Sequence, residues 1–311
     1  MANHFQGLNK LTITRRRWLG ILCGMLAGVP SALLAADTVL YEPAGKFPQL
    51  PAEYSLGRCS AVAANRKGEI YLFHRGKHPI ICVTPEGKYL RSWGDDYITM
   101  PHGLRVDRHE NVWVTDLGRH RVLKFDPAGK LLLALGTGQR GTGTDQFDQP
   151  ADVAFGPDDS VYVADGYGNS RVIQFSAAGR YLHAWGTRGQ KPGEFHLPHS
   201  ILVDSQKRLL VGDRENNRIQ IFDFEGKLLD HWDGFAPYGL AMDQAGRIFV
   251  ADARAQQILQ LDEAGKVVQR WGRKGTAPGE FDLPHMLAFD ATDNLYIAEV
   301  AGARFQKFVK K

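Results

Sequence analysis

The chain has 311 residues, of which 43% are hydrophobic and 23% charged, with 34 glycines and 15 prolines. This composition is typical of a globular, turn-rich protein that is large enough for a substantial core. The formal charge is +4, but the first 36 residues hold four basic residues and no acid. Removing these four from the 38 basic residues leaves 34 against 34 acidic residues. A neutral remainder gives no reason to expect nucleic acid or another polyanion as a partner.

Residues 1–36 have the features of an export signal. The segment TRRRWLG (14–20) carries a twin-arginine pattern and is followed by the apolar run ILCGMLAGVPSALLAA. This run is short and is broken by glycine and proline, which favours a cleaved peptide over its alternative, a retained membrane anchor. We therefore expect cleavage after Ala35 or Ala36, no membrane attachment afterwards, and a periplasmic or secreted protein.

Residues 37–311 repeat one unit six times. The clearest copies are 100–136 and 149–186, and further copies start near Gly57, Leu197, Ala236 and Leu283. Each copy contains four short strands of alternating hydrophobicity joined by Gly, Asp and Asn turns, without helical periodicity. One such sheet cannot bury both of its faces, whereas six sheets arranged radially can. The sequence thus predicts one all-β domain, a six-bladed β-propeller.

The two ends of the repeat array predict how the ring closes. The last unit reaches Lys311 after only three strands. The segment DTVLYE (37–42) can supply the missing fourth strand and so remove a free sheet edge. The repeat itself resembles the NHL family of propeller repeats.

Three of the six units start their innermost strand with a Pro-His pair. The histidines are His102, His199 and His285, in units two, four and six. Alternate blades of a six-bladed ring are about 120° apart, so the three imidazoles should face one point on the axis. Three nitrogen ligands with an open fourth position are the arrangement of a catalytic zinc, and iron or cobalt would also accept it. The alternative is three channel histidines hydrogen-bonded to water.

A second register predicts further polar groups at the same mouth. The second strand of each unit returns to the end where the first began, so the residue after it lies on the histidine rim. Arg75 and Arg214 occupy this register in units one and four, and Tyr167 follows it by one position in unit three. Guanidinium groups suit a carboxylate, although any one of these residues alone is as readily a solvated rim side chain.

The stretches that carry these residues resemble the peptidyl-α-hydroxyglycine α-amidating lyase family. The resemblance covers nearly all of residues 37–311 and is tightest in FHRG, PHGL, DGYGNSR and DREN. It implies a lyase that cleaves peptides ending in α-hydroxyglycine into peptide amide and glyoxylate. For Tyr167 to act as base, its pKa, normally about 10, has to be lowered by zinc or a nearby arginine. The implied roles are zinc binding by His102, His199 and His285, proton transfer by Tyr167, and substrate carboxylate binding by Arg75 and Arg214.

The resemblance also implies a structural calcium, from which this sequence departs. The family holds that ion with backbone carbonyls that match Val62 and Leu104 and with an acidic residue directly after the third histidine. Here that residue is Met286, which puts the calcium in doubt. The family's cysteine after the tyrosine is Gly168, so the disulfide at that point is absent.

The two cysteines of the repeat array, Cys59 and Cys82, are expected to be free thiols. Cys59 opens an inner strand at the histidine rim, and Cys82 approaches the end of a third strand toward the opposite rim. The distance between their Cα atoms should therefore exceed the roughly 7 Å that a disulfide can span.

The sequence leaves three functions open. The first is the lyase, a monomer acting on a small peptide or amidoglycolate-type substrate. The second is a non-enzymatic NHL propeller that binds a peptide or protein on its rim. The third is a metal-dependent lyase or hydrolase for another carboxylate-bearing substrate.

Overall fold

The computed structural model describes residues 40–311, so the expected export signal (1–36) lies outside the described residues. The described residues form six four-stranded antiparallel sheets. The prediction of an all-β, six-bladed propeller is confirmed. Between residues 40 and 311 there is no helix with the length and hydropathy needed to cross a membrane.

The first three blades follow the chain from the innermost strand outward. Blade 1 contains β2 (Cys59–Ala64), β3 (Ile70–His74), β4 (Ile80–Val83) and β5 (Tyr89–Trp93). Blade 2 contains β6 (Pro101–Val106), β7 (Val112–Asp116), β8 (Arg121–Phe125) and β9 (Leu131–Leu135). Blade 3 contains β10 (Asp152–Phe155), β11 (Val161–Asp165), β12 (Arg171–Phe175) and β13 (Tyr181–Trp185).

The remaining blades repeat the pattern. Blade 4 contains β14 (Pro198–Val203), β15 (Leu209–Asp213), β16 (Arg218–Phe222) and β17 (Leu228–Asp233), with a 3-10 turn (Arg214–Asn216) after β15. Blade 5 contains β18 (Pro237–Met242), β19 (Ile248–Asp252), β20 (Gln257–Leu261) and β21 (Val267–Trp271). Blade 6 contains β22 (Pro284–Phe289), β23 (Leu295–Glu299), β24 (Arg304–Lys310) and β1 (Tyr41–Pro43).

Blade 6 is completed by the strand from the other end of the array. β1 pairs antiparallel with β24, with Tyr41 opposite Lys310 and Pro43 opposite Phe308. The predicted closing segment therefore does supply the outer strand, although that strand extends to Pro43, one residue beyond the expected 37–42. This pairing removes the free edge that three strands would leave.

The apolar core lies between the blades. Each of six clusters combines side chains from neighbouring blades, as Phe73 of blade 1 and Phe125 of blade 2 do. Three inter-blade loops add one fully buried phenylalanine each to the cluster they cross: Phe147, Phe195 and Phe281. Burying such a side chain stabilises the fold by about 1.5–3 kcal/mol, so these loops are fastened to the core although they have no strand of their own.

A tryptophan on one blade packs against a turn glycine of the next. Trp232, near the end of β17, is 5% exposed, and a Cβ placed on Gly265 of blade 5 would overlap its indole ring. Gly265 also has φ +78°, a conformation that only glycine adopts without strain. Both backbone conformation and space therefore require glycine at this contact between blades.

We expect Gly265→Ala to destabilise the protein more than Gly193→Ala. Gly193 has φ +82° with no atom within 4 Å of an added Cβ, so its substitution introduces only the backbone strain, about 1–2 kcal/mol. Gly265→Ala adds overpacking against Trp232, a further 1–3 kcal/mol or so. Denaturant unfolding of both variants measures the difference, and equal losses would show that the indole moves aside freely.

Candidate metal centre

Three histidine rings meet on the pore axis. His102, His199 and His285 are each the second residue of an innermost strand, in β6, β14 and β22, and all are buried. Their ring centroids are 4.7, 4.7 and 4.9 Å apart, with interplanar angles of 77°, 82° and 84°. The geometric expectation that imidazoles from alternate blades face one point is therefore confirmed.

Backbone carbonyls fix the tautomer of each ring. In every case Nδ1 donates a hydrogen bond to the carbonyl of the residue at the same register in the next blade. Since a carbonyl oxygen only accepts, the proton of the neutral ring is on Nδ1 and the lone pair is on Nε2. The pairs are His102 with Ala151 (2.7 Å), His199 with Tyr238 (2.6 Å) and His285 with Ser60 (2.6 Å).

The donor set fits a metal ion. Burial lowers the pKa of all three histidines, and that of His285 to about 3, so the rings are neutral near pH 7. The Tyr167 hydroxyl lies 3.0 Å from Nε2 of both His102 and His199 but has one proton to donate. Within residues 40–311 this is the one group of three metal-ligating side chains whose ligand atoms all lie within 4.8 Å. The three neutral Nε2 atoms converge, and the Tyr167 hydroxyl can donate a hydrogen bond to only one of them. Such a group of lone pairs is suited to a cation such as zinc.

Blade 2 contains a support for His102 that sequence reasoning missed. The Thr115 hydroxyl accepts a hydrogen bond from Gly103 N–H (2.7 Å) and donates one to the Ala151 carbonyl (2.9 Å), the acceptor of His102. A Cβ on Gly103 would overlap this carbonyl, so the glycine permits the close approach of blade 3. The available signal was a hydroxyl residue directly after the apolar run VWV of the strand VWVTD.

Tyr167 lies at the mouth directly above the histidines. Its ring centroid is 5.1 Å from that of His102 and 5.6 Å from that of His199. Burial raises the pKa of Tyr167, while Arg214 and then Arg75 act to lower it. The effect of burial on this pKa therefore outweighs that of the two arginines.

Arg214 is paired with a neighbouring acid, Glu215, which also pairs with Arg254. Nε and Nη2 of Arg214 both lie 2.9 Å from Oε1 of Glu215, while Nη1 lies 3.4 Å from the Tyr167 hydroxyl. Its Cζ is 4.6 Å from the ring centroid of Tyr238 and 5.5 Å from that of Tyr167. Arg214 is thus held between two aromatic rings beside an acid. Sequence reasoning gave Glu215 and Tyr238 no role.

Arg75, on the opposite blade, has a different environment. Its Nε donates to the Pro101 carbonyl of blade 2 (3.1 Å), and no carboxylate pairs with it among residues 40–311. Burial lowers its pKa, while Tyr167 raises it. The sequence predicts the same role for both arginines, but their surroundings differ. Of the two, only Arg75 has both terminal nitrogens free for an anion.

None of the three residues matched to the family's calcium position carries a carboxylate. Val62 and Leu104 are buried in β2 and β6, and Met286 packs in the same apolar cluster as Leu104. Met286 therefore adds a thioether to the core where the calcium would need an acid.

The prediction that Cys59 and Cys82 are free is confirmed, and both thiols are buried. Burial raises the pKa of both, that of Cys82 to about 12, so neither is a reactive thiolate at neutral pH.

Family models match two parts of the chain. The model described as a 6-bladed beta-propeller matches residues 146–232, and the NHL repeat model matches residues 99–125. Among solved structures, a streptogramin B lyase aligns with a TM-score of 0.64 over 88% of this chain and 98% of that one. The identity is 12%, so this likeness shows the fold alone.

Curated proteins are similar at higher identity. Rat peptidylglycine alpha-amidating monooxygenase is 37% identical over 226 residues, covering 60% of this chain and 23% of that protein. A probable peptidyl-alpha-hydroxyglycine alpha-amidating lyase of Caenorhabditis elegans is 34% identical, covering 54% and 56%. Human NHL repeat-containing protein 3 is 31% identical, covering 88% and 85%. The chain thus spans less than two thirds of the two amidating proteins but most of the third.

We expect Thr115→Val to weaken metal binding by about 10–100-fold, the usual effect of removing an outer support of a ligand. The Ala151 carbonyl loses a donor and Gly103 N–H loses its acceptor, so the orientation of His102 is less restrained. Thr115→Ser keeps the hydroxyl and is the matched control. Competition with a chromophoric chelator for zinc or cobalt measures the affinity, and equal affinities in the two variants would exclude the role.

Proposed function

This chain belongs to the family of NHL-repeat six-bladed β-propellers that includes NHL repeat-containing protein 3, and on that premise we propose that its pore site is the active site of a zinc-dependent carbon–nitrogen lyase. The substrate is a peptide, or a smaller amide, that ends in α-hydroxyglycine, and the products are the amide and glyoxylate. The similarity to amidating lyases supports this activity. The observation that carries it is the convergence of three neutral Nε2 atoms and the Tyr167 hydroxyl at one mouth.

His102, His199 and His285 would hold the zinc through Nε2. When bound there, zinc supplies a positive charge that lowers the pKa of a hydroxyl beside it. Tyr167 accepts the proton of the substrate hydroxyl as the C–N bond breaks and the carbon becomes the aldehyde of glyoxylate. It then returns this proton to the amide nitrogen, so that no proton is gained or lost.

The two arginines have different tasks in this mechanism. Arg75 holds the substrate carboxylate, because its terminal nitrogens have no anionic partner and face no competing acid. Arg214 lies 3.4 Å from the Tyr167 hydroxyl through Nη1 and is already paired with Glu215. It therefore acts mainly on Tyr167, by stabilising the negative charge on the phenol.

A second candidate function is a non-enzymatic propeller that binds a peptide or protein on its rim. Human NHL repeat-containing protein 3, of which the chain covers 85%, is named only for its NHL repeats. This similarity favours the second candidate. The axial histidines would then bind a metal, if any, without turnover.

We propose that the protein is exported to the periplasm or secreted and acts as a monomer. The twin-arginine segment TRRRWLG and the apolar run after it support export. Cell fractionation of the full chain beside an Arg15/Arg16/Arg17→Lys variant tests this, since loss of the arginine pattern should retain the protein in the cytoplasm.

The decisive experiment measures metal and turnover together. The purified protein is analysed for bound zinc and then assayed for glyoxylate release from α-hydroxyhippurate. One zinc per chain with glyoxylate release supports the lyase. Zinc without release favours another carboxylate-bearing substrate, and neither zinc nor release favours the binding propeller.

We expect Tyr167→Phe to lower kcat by at least about 100-fold, the usual contribution of a positioned general base, while zinc content stays unchanged. Tyr238→Phe is the matched control, because Tyr238 lies at the same mouth and its ring, not its hydroxyl, contacts Arg214. Full activity in Tyr167→Phe would remove the tyrosine from the mechanism.

A further inference from the structure

Blade 1 breaks a rule that the other five blades obey. In those five blades the second strand ends in a buried carboxylate, whereas in blade 1 it ends in His74, which is also fully buried. The carboxylates are Asp116, Asp165, Asp213, Asp252 and Glu299.

These terminal groups fasten the loop that leads into the innermost strand. In blade 4, Asp213 accepts a hydrogen bond from the backbone N–H of His196 (2.7 Å), two residues before β14. In blade 1, Nδ1 of His74 accepts from Gly57 N–H (3.1 Å), also two residues before the inner strand, and from Gly76 N–H (3.2 Å). An imidazole therefore forms the same contact without a negative charge.

The cation that accompanies the carboxylate is absent as well. Three of the carboxylates pair with an arginine at the facing position of the third strand, as Asp213 does with Arg218 (2.8 Å). The others are Asp165 with Arg171 and Glu299 with Arg304. In blade 1 the facing residue is Pro79, whose carbonyl accepts from His74 N–H. A neutral pair thus replaces an ion pair.

The residue that follows His74 in the chain is Arg75. Because Nδ1 of His74 accepts two N–H groups, its proton is on Nε2, which is buried without a partner among the described residues. Burial also lowers the pKa of His74 to about 4. No carboxylate of the described residues pairs with Arg75, in contrast to Arg214, which is paired with Glu215.

We propose that His74 is a positioning residue that determines specificity for anionic substrates, because it fastens the blade without supplying Arg75 with a counter-ion. An aspartate at this position, as in the other blades, would find Pro79 instead of an arginine at the facing position, so its buried negative charge would lie one residue from Arg75 without a balancing cation. This inference rests on the proposed carboxylate site and names the feature of the fold that keeps it open.

The test compares His74→Asp with His74→Asn in the zinc-loaded full chain. Asparagine keeps a neutral acceptor for Gly57 and Gly76, while aspartate adds the charge. The probes are hippurate and its uncharged analogue hippuramide, and titration calorimetry gives their affinities. We expect His74→Asp to bind hippurate about tenfold more weakly, because an unbalanced negative charge close to Arg75 opposes the binding of a second anion there. His74→Asn should stay near wild type, and hippuramide should bind all three proteins alike.

A rescue variant separates charge from damage to the fold. His74→Asp combined with Pro79→Arg rebuilds the ion pair of the other blades and should restore the affinity for hippurate. Equal weakening by aspartate and asparagine, weakening toward hippuramide too, or no rescue would each overturn the inference.

Binding and turnover test the role of His74 and the lyase activity separately. If the wild-type protein binds hippurate with this charge dependence but releases no glyoxylate from α-hydroxyhippurate, the lyase proposal fails and the role of His74 stands. If glyoxylate is released but His74→Asp binds hippurate as the wild-type protein does, the role of His74 fails alone. A wild-type protein that does not bind hippurate also overturns the inference.

Discussion

Hydrogen bonds between neighbouring inner strands determine how the three histidine rings are oriented in the pore of this propeller. Each axial histidine uses Nδ1 to bind a carbonyl of the next blade, so the same bond holds two blades together and leaves Nε2 with its lone pair toward the axis. Stability and ligand geometry are therefore not separable here. The hydroxyl of Thr115 and the missing Cβ of Gly103 serve this one contact in blade 2.

The blades are similar in fold but differ in charge, and this difference gives the mouth a direction. On one side Arg214 lies between the rings of Tyr167 and Tyr238 and is paired with Glu215, which also pairs with Arg254. On the opposite side Arg75 has a carbonyl contact and no acid. An anion entering the mouth therefore meets an unpaired guanidinium on one side, while Tyr167 lies on the other.

The sequence was sufficient for whatever depends on register. Strand alternation predicted six blades, and equal spacing from the turns placed the three histidines, Arg75 and Arg214 at the rim, because a repeat puts equivalent residues at equivalent heights. It was insufficient for what depends on neighbours in space. The capture of Arg214 by Glu215, the support from Thr115 and the effect of burial on the pKa of Tyr167 all arise from packing between blades. No spacing along the chain encodes such contacts.

The contact between His285 and the Ser60 carbonyl joins residues 225 positions apart, and it crosses the seam where the first blade meets the last. An ion held by all three imidazoles can bind only after that seam has formed. Mass action then adds the binding free energy to the stability of the joined seam. A metal in the pore would thus stabilise the closed ring of blades. It would oppose unfolding that starts with detachment of the short outer strand β1.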